Sequence, residues 1–208
     1  MNYSDKEEIR SRYRSRLNKY GAGIEALASG TEERRTIRFD VLTKVGIVDG
    51  SSVLDVGCGF ADYFDYANEL GINIQYTGID IVPELIESAK KSKPEIDLEV
   101  RDLQESPYPS GSFDYVISSQ VFNYRLSNQK NEQLVKDMLK LMYETARHGV
   151  AVDFLTSYVD FRQDELFYYE PEELFRYSKS LTKRVSLKHD HPLFEFCLYL
   201  YKDFKGWA

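Results

Sequence analysis

The sequence is short of cysteine, and this argues against several kinds of site. Its 208 residues include 2 cysteines, Cys58 and Cys197, which lie inside apolar runs and form no Cys-x-x-Cys pair. Spaced cysteines are the usual basis of disulfide frameworks and of structural zinc sites. We therefore expect no disulfide scaffold and no metal site, and we predict a reducing, cytoplasmic location.

Long apolar runs and excess positive charge are absent as well. No apolar stretch approaches membrane-spanning length, and the polar start over residues 1–5 lacks the apolar region of a signal peptide. Membrane insertion and secretion are therefore not expected. The net charge of -7 repels phosphate backbones, which disfavours a nucleic acid as partner and favours a small-molecule substrate.

The composition that remains is that of a globular protein, with 42% hydrophobic and 29% charged residues. We expect one domain over residues 1–208. A cap over residues 1–48 is predicted to contain two helices. Apolar residues recur at helical spacing in the first helix, which Gly21 and Gly23 end, and the second helix runs from Thr31 as N-cap to Gly46. The arginines of the first helix are predicted to form a solvated face without a partner: Arg10, Arg12, Arg14 and Arg16.

After residue 50 the pattern alternates between strands and helices, which predicts a parallel sheet. Strands are predicted at 53–56, 74–79, 96–100, 114–118 and 149–155, with helices at 63–70, 83–92 and 131–147. Near the end, strands at 185–188 and 194–201 flank the turn His189-Asp190-His191-Pro192, which requires antiparallel pairing. The predicted fold is therefore α/β, with a mostly parallel sheet, helices on both faces and an antiparallel C-terminal hairpin.

The glycine-rich turn Asp55-Val56-Gly57-Cys58-Gly59 ends the first strand. Glycines there allow a backbone to approach a ligand at the carboxyl edge of the sheet. A dinucleotide fingerprint would have glycine at position 62, where this chain has Asp62. Asp80 ends the second strand, where a carboxylate accepts hydrogen bonds from ribose hydroxyls. Asp102 and Leu103 follow the third strand and are placed to meet an adenine, so the pattern indicates a nucleoside site.

These motifs together resemble those of class I S-adenosylmethionine-dependent methyltransferases. Residues 53–59 resemble the family's first motif, residues 78–81 its second, and residues 113–118 its fourth-strand motif. The resemblance spans 52–154, and the reversed last strand also matches. It implies a Rossmann-like enzyme that converts S-adenosylmethionine into S-adenosylhomocysteine, with 49–155 as the cofactor-binding core and 156–208 as the acceptor-side segment. The cap is similar to that of a small bacterial subgroup whose acceptor is unassigned.

The resemblance also implies roles for individual residues. Gly57 and Gly59 would face the methionine part, Asp55 would orient its amino group, Phe60 would pack nearby and Tyr20 would close over its carboxylate. Each residue has a simpler explanation, since a glycine can serve only a turn and an aspartate after a strand often caps a helix. The implied nucleoside contacts are the ribose at Asp80, the adenine at Ile81, Asp102 and Leu103, and the sulfonium region at the backbone of Ser118.

The acceptor site is less clearly indicated. Residues 119–124 lack the Asn/Asp-Pro-Pro-aromatic motif with which amino-group DNA methylases hold a base, so we expect O- or N-methylation of a small molecule. Weak candidates for a catalytic base are Asp153, His189 and His191. Tyr168 and Tyr169 are candidates for an acceptor pocket, although neighbouring aromatic residues can equally form the core face of a covering helix.

Three other functions stay open at this point. The chain could be a non-catalytic S-adenosylmethionine-binding or partner-binding protein with the same fold. A nucleic-acid methyltransferase that uses the arginines of the first helix is less favoured, and a nicotinamide oxidoreductase less still. The sequence does not identify the acceptor, the methylated atom or the oligomeric state.

Overall fold

The computed structural model describes residues 1–128 and 130–202, which fold around one seven-stranded sheet. The strands are β1 (Ser52–Val56), β2 (Gln75–Asp80), β3 (Asp97–Val100), β4 (Phe113–Ser118), β5 (Ala146–Leu155), β6 (Val185–Lys188) and β7 (Glu195–Tyr201). The helices are α1 (Tyr3–Tyr20), α2 (Ile24–Leu27), α3 (Glu32–Thr43), α4 (Asp62–Glu69), α5 (Pro83–Ser92), α6 (Asn131–Thr145) and α7 (Pro171–Leu181).

The strand order is β3-β2-β1-β4-β5-β7-β6. Strands β1 to β5 pair in parallel, whereas β7 pairs antiparallel with both β5 and β6. The predicted Rossmann-like sheet with an antiparallel C-terminal hairpin is therefore confirmed. Its chain order reverses between β1 and β4, and crevices for ligands form at the carboxyl end of a sheet where this happens.

Two apolar layers cover the sheet, one on each face. One layer packs α6 and α7 against the strands through residues such as Val135, Leu139 and Leu174. The other packs α3 to α5 through residues such as Leu42, Tyr63 and Ile86. The predicted continuous apolar strand at 149–155 is β5, and Val150–Phe154 are buried within it because α6 and α3 lie on opposite faces. Burial on both faces fixes the register of the central strands.

The cap differs from the prediction in its details. Thr31 is the N-cap of α3, as predicted, and its hydroxyl accepts a hydrogen bond from the Arg34 amide. The helix ends at Thr43 instead of Gly46, and the short α2 after Gly23 was not predicted. A four-residue helix holds too few turns to leave a periodic apolar pattern.

The prediction of a solvated arginine face on α1 is wrong. Arg10 donates to the carbonyl oxygen of Ile81 at 2.9 Å, and Arg14 pairs with Glu84. Arg16 donates to the carbonyl oxygen of Ala26 at 3.0 Å, and the Arg12 guanidinium lies 4.1 Å from the ring centre of Tyr124. The arginines dock the helix because the loops beneath it present carbonyl oxygens and carboxylates.

No helix within residues 1–128 and 130–202 combines the length and apolar character that a membrane crossing needs.

Candidate cofactor and acceptor sites

Two adjoining cavities open at the carboxyl edge of β1, β2 and β4. The larger one, called the main cavity, encloses about 860 Å³. The smaller one, called the side cavity, encloses about 390 Å³, and Gly57 and Gln120 line both. The main cavity collects six of the residues predicted for the cofactor: Gly57, Gly59, Asp80, Ile81, Asp102 and Leu103. Asp55 lines the side cavity together with Arg35 and Arg38.

Gly57 lies where the two cavities meet. Its φ is +77°, which favours glycine, and a Cβ at this position would lie 2.1 Å from Cγ2 of Val121. A side chain at position 57 would therefore collide with Val121, which lines the main cavity. Ala61, which replaces the third glycine of many family members, has a φ of +59° at the N-cap of α4. The turn therefore keeps its left-handed geometry at position 61 despite the substitution.

Asp80 is held in place by the glycine turn. Its carboxylate accepts hydrogen bonds from the amide of Gly59 at 3.1 Å and from the amide of Val82 at 2.9 Å. Burial raises the pKa of Asp80, while these backbone donors oppose the shift. The Ile81 amide is a third backbone donor to Asp80. A carboxylate has about four lone-pair sites, so Asp80 can still accept from a hydroxyl in the main cavity.

Asp55 is a buried acid at the end of β1. It is 5% exposed, and the Tyr76 hydroxyl donates to it at 2.7 Å. Burial raises the pKa of Asp55 to about 7, against the lowering effect of this hydrogen bond. A cationic group in the side cavity would restore the charged form of this acid.

Asp102 lies beneath the cap. Lys6 on α1 forms ion pairs of 2.5 Å with both Asp102 and Glu105. Ile9 and Tyr13, also on α1, line the main cavity. The first helix therefore covers the cavity at the end where Asp102 and Leu103 lie.

The loop after β4 carries one residue that sequence reasoning missed, and a second lies on α3. Gln120 has a φ of +62°, which is uncommon for a non-glycine residue. Asp153, at the end of β5, holds it there: the carboxylate accepts from the Gln120 amide at 2.7 Å, from its Nε2 at 3.2 Å and from Ser119 Oγ at 2.6 Å. Strained residues persist only where their surroundings fix them, and they concentrate at functional sites. The sequence gives no indication of this conformation.

Arg35, the other missed residue, reaches the side cavity from α3. It pairs with Asp62 at 2.5 Å and with the exposed Glu32. Arg38, one turn later, forms a bidentate ion pair with Glu195 at 2.7 and 2.8 Å, and both side chains are buried. The pair joins the cap to β7.

Comparisons with known proteins show the family of the chain. A methyltransferase domain family matches residues 53–145. A Mycobacterium tuberculosis protein named as a methyltransferase is 32% identical over 172 residues, covering 76% of this chain and 97% of its own. The chain belongs to the class I S-adenosylmethionine-dependent methyltransferases.

One further relative and one solved structure with the same fold are informative. The ubiquinone/menaquinone biosynthesis C-methyltransferase of a Geobacter species is 33% identical over 115 residues, which are 52% of this chain and 48% of that enzyme. A solved methyltransferase from Archaeoglobus fulgidus shares the fold, with a TM-score of 0.63 at 15% identity over 83% of this chain and 95% of that one.

Three predicted cofactor residues of the methyltransferase do not line either cavity. Ser118 is fully buried and donates to the carbonyl oxygen of Val56 at 2.8 Å. Phe60 is 6% exposed in the core, and its carbonyl oxygen accepts from Lys93 at 2.8 Å. Tyr20 is 45% exposed, with its ring beside Lys19. Ser119 and Gln120, just after Ser118, line the side cavity instead.

None of the three weak candidates for a base lines the main or the side cavity. The oxygens of Asp153 are bonded to the loop after β4, and burial together with the nearby Glu195 raises its pKa to about 6, opposed by Arg38. His189 follows β6 and packs against Tyr158 and Phe196, so β5 and β7 separate it from β4. His191 lines neither the main nor the side cavity, and burial lowers its pKa.

The two tyrosines predicted for an acceptor pocket have different positions. Tyr168 lines a third cavity, described below. Tyr169 is 2% exposed, and its hydroxyl donates to the carbonyl oxygen of Phe122 at 2.7 Å. Tyr169 therefore belongs to the core and not to a pocket. This is the alternative that the sequence left open for the aromatic residues of this segment.

Proposed function

We propose that this methyltransferase binds S-adenosylmethionine across the main and side cavities and methylates a small-molecule acceptor. The observation that carries the proposal is the collection of Gly57, Gly59, Asp80, Ile81 and Leu103 around one cavity. These residues suit the cofactor. Asp80 can accept hydrogen bonds from a ribose, and Ile81 and Leu103 can cover an adenine. Gly57 lets the backbone approach the ligand closely.

The nucleoside half belongs in the main cavity. Asp80 would accept from the ribose hydroxyls, while Ile81 and Leu103 would cover the adenine faces. Asp102 would meet the adenine edge through Oδ1, which also accepts from the Gln104 amide at 2.8 Å, because Lys6 pairs with Oδ2. The cap would exclude water from this end, which strengthens each polar contact.

The methionine half belongs in the side cavity. Its ammonium group would lie near Asp55, whose buried carboxylate lacks a cationic partner among the described residues. Its carboxylate would replace Glu32 at Nη2 of Arg35, because Glu32 is 67% exposed and such surface pairs are weak, while Nη1 would keep its pair with Asp62. We assign this role to Arg35 in place of Tyr20.

When bound, the cofactor supplies an electrophilic methyl group: an acceptor lone pair forms a bond to its carbon as the sulfur–carbon bond breaks. The chain would contribute position and a dry site. Asp153 would fix the loop that carries Gln120, and Gln120, which lines both cavities, would lie beside the reacting atoms. The acceptor's proton, where it has one, would leave to solvent.

A small-molecule acceptor suits the net charge of -7. Relatives named for quinone biosynthesis and for aklanonic acid support the same class. Since one relative is named as a C-methyltransferase, carbon acceptors belong beside oxygen and nitrogen acceptors in a screen.

The division of the chain belongs to the proposal too. We place the cap at 1–48, the cofactor-binding core at 49–155 and the acceptor-side segment at 156–208, of which 203–208 lie outside the described residues. A cytoplasmic location is supported by the two cysteines, which are free and buried.

Calorimetric titration with S-adenosylhomocysteine tests the proposal. The wild type should bind with a dissociation constant on the order of 10 µM. Asp80→Asn should weaken binding by about tenfold or more, since charged acceptors form the stronger hydrogen bonds. Asp49→Asn is the matched control, because Asp49 is an exposed acid before β1. No binding by a folded wild type, or preferential binding of NAD, would overturn the proposal.

A further inference from the structure

A third cavity lies beyond the ends of β5 and β7, on the acceptor side. Its space amounts to about 680 Å³, including the part that is open to solvent. We call it the aromatic cavity, since most of its wall is apolar: Leu155, Phe161, Leu166, Tyr168, Leu193 and Phe194. None of these residues belongs to the cofactor motifs.

Two phenylalanines at this cavity are exposed to an unusual degree. Phe161 is 67% exposed and Phe194 is 59% exposed, and every other phenylalanine in residues 1–128 and 130–202 is half-buried or buried. Exposed apolar side chains gathered at one concave place mark binding sites in soluble proteins. The cavity therefore has the character of a ligand site and not of a packing defect.

The buried Arg38–Glu195 pair separates the aromatic cavity from the side cavity. Arg38 lines the side cavity, Glu195 lines the aromatic cavity, and the two are joined by hydrogen bonds of 2.7 and 2.8 Å. Leu155, in the wall of the aromatic cavity, lies two residues after Asp153, which holds Gln120. The aromatic cavity is thus adjacent to the place where the methyl group would be transferred.

The charges at the cavity define what it can take. Arg34 lines it, and no carboxylate of the described residues lies within ion-pair distance of its guanidinium. The charge of Glu195 is compensated by Arg38. Asp160 also lines the cavity but forms no ion pair with any described residue. Arg34 is therefore an available partner for an anion on an otherwise apolar ligand.

We infer that the aromatic cavity binds the body of the acceptor, a fused-ring aromatic molecule that carries an anionic group facing Arg34. The inference rests on the proposed function, since it names the substrate class of that enzyme. The rings would cover Phe161 and Phe194, and the reacting substituent would reach past the Arg38–Glu195 pair toward Gln120.

Two fluorescent probes with the same rings test the inference: 1-anilinonaphthalene-8-sulfonate, which is anionic, and N-phenyl-1-naphthylamine, which lacks the sulfonate. The wild type should bind the anionic probe about tenfold more tightly, as expected for one charge-assisted contact. Arg34→Gln should remove this difference and leave the neutral probe unchanged. Lys44→Gln, an exposed charge change just after α3, is the control and should change neither affinity.

Three more variants locate the probes. Phe194→Ser should weaken both probes by about tenfold, while Tyr3→Ser, which removes an aromatic residue that is 78% exposed elsewhere, should weaken neither. Asp160→Asn should tighten only the anionic probe. Equal weakening by Phe194→Ser and Tyr3→Ser would overturn the inference, because it would show binding to any exposed aromatic side chain.

Titration of every variant with S-adenosylhomocysteine separates this inference from the proposed function. Normal cofactor binding with no probe binding would overturn the aromatic site alone, and loss of cofactor binding in the wild type would overturn the proposed function. Analytical sedimentation of the wild type and of Phe194→Ser measures their oligomeric states. A wild-type dimer that Phe194→Ser converts to a monomer would assign the aromatic cavity to a subunit contact and overturn the inference.

Discussion

The proposed cofactor edge and the proposed acceptor side of this methyltransferase are built in different ways. At the edge of β1, β2 and β4, backbone amides hold the functional groups, as Gly59 and Val82 hold Asp80. On the acceptor side, most of the cavity wall consists of apolar side chains on the connections after β5 and before β7, and two of them are exposed. Short sequence motifs can predict a site that backbone geometry forms. They do not predict a site that side-chain packing forms.

The buried Arg38–Glu195 pair connects the two regions, and breaking it should have the largest effect on stability. Arg38→Ala would leave Glu195 buried without a partner, so urea denaturation should show a loss of about 3–5 kcal/mol in the free energy of unfolding. Lys44→Ala is the control, since its pair with Asp40 is 61% and 50% exposed, and it should cost about 0.5 kcal/mol or less. A loss for Arg38→Ala as small as that of the control would show that the two regions are not joined there.

Gly57→Ala should damage the cofactor edge without affecting the acceptor side. The Cβ would require Val121 to move, so affinity for S-adenosylhomocysteine should fall by about 100-fold, or ~2.7 kcal/mol. Gly71→Ala is matched, because its φ of +73° carries the same conformational cost and nothing lies within 4 Å of the new Cβ. Binding by Gly57→Ala that equals binding by Gly71→Ala would contradict the placement of the cofactor.

Asp55 should make the stability of the cofactor edge depend on pH. Its pKa is raised to about 7 from an ordinary 3.8, so its contribution to stability is complete below about pH 4 and is lost as the pH rises through 7. Asp55→Asn, which keeps an acceptor for Tyr76, should therefore be more stable than the wild type at pH 8 by about 1–3 kcal/mol. The difference should vanish near pH 4 in urea titrations. A difference that is the same at both pH values would show that Asp55 is not a buried charge.

Tyr20→Phe should have the smallest effect. The side chain is 45% exposed beside Lys19, so S-adenosylhomocysteine affinity should change by less than about twofold, a difference of ~0.4 kcal/mol. Arg35→Gln, in contrast, should weaken the same affinity by about tenfold if it holds the cofactor carboxylate. A larger loss for Tyr20→Phe than for Arg35→Gln would restore the role that the family resemblance implies for Tyr20.

Sequence reasoning was most successful where periodicity and backbone chemistry coincide. The seven predicted strands and the bounds of α5 were found, because alternating strands and helices leave patterns of period 2 and 3.6. It also placed Gly57, Asp80 and Leu103 around what proves to be one cavity, because parallel strands end at the same edge.

The rest depended on contacts between distant parts of the chain. Arg38 and Glu195 are 157 residues apart, and Gln120 takes its left-handed conformation from Asp153 on another strand. The arginines of α1 look like a solvated face until the loops beneath them are known. The last strand could be predicted, but the distance of His189 from β4 follows from the order of the strands in the sheet, which periodicity does not reveal.

A crystal structure of the protein with S-adenosylhomocysteine would test the central claim most directly. We expect the adenine between Ile81 and Leu103, the ribose on Asp80 and the amino-acid tail in the side cavity, near Asp55 and Arg35. The aromatic cavity should stay free of the nucleoside. A nucleoside bound in the aromatic cavity, or a tail that turns away from Asp55 toward Tyr20, would contradict the separation of the cofactor edge from the acceptor side.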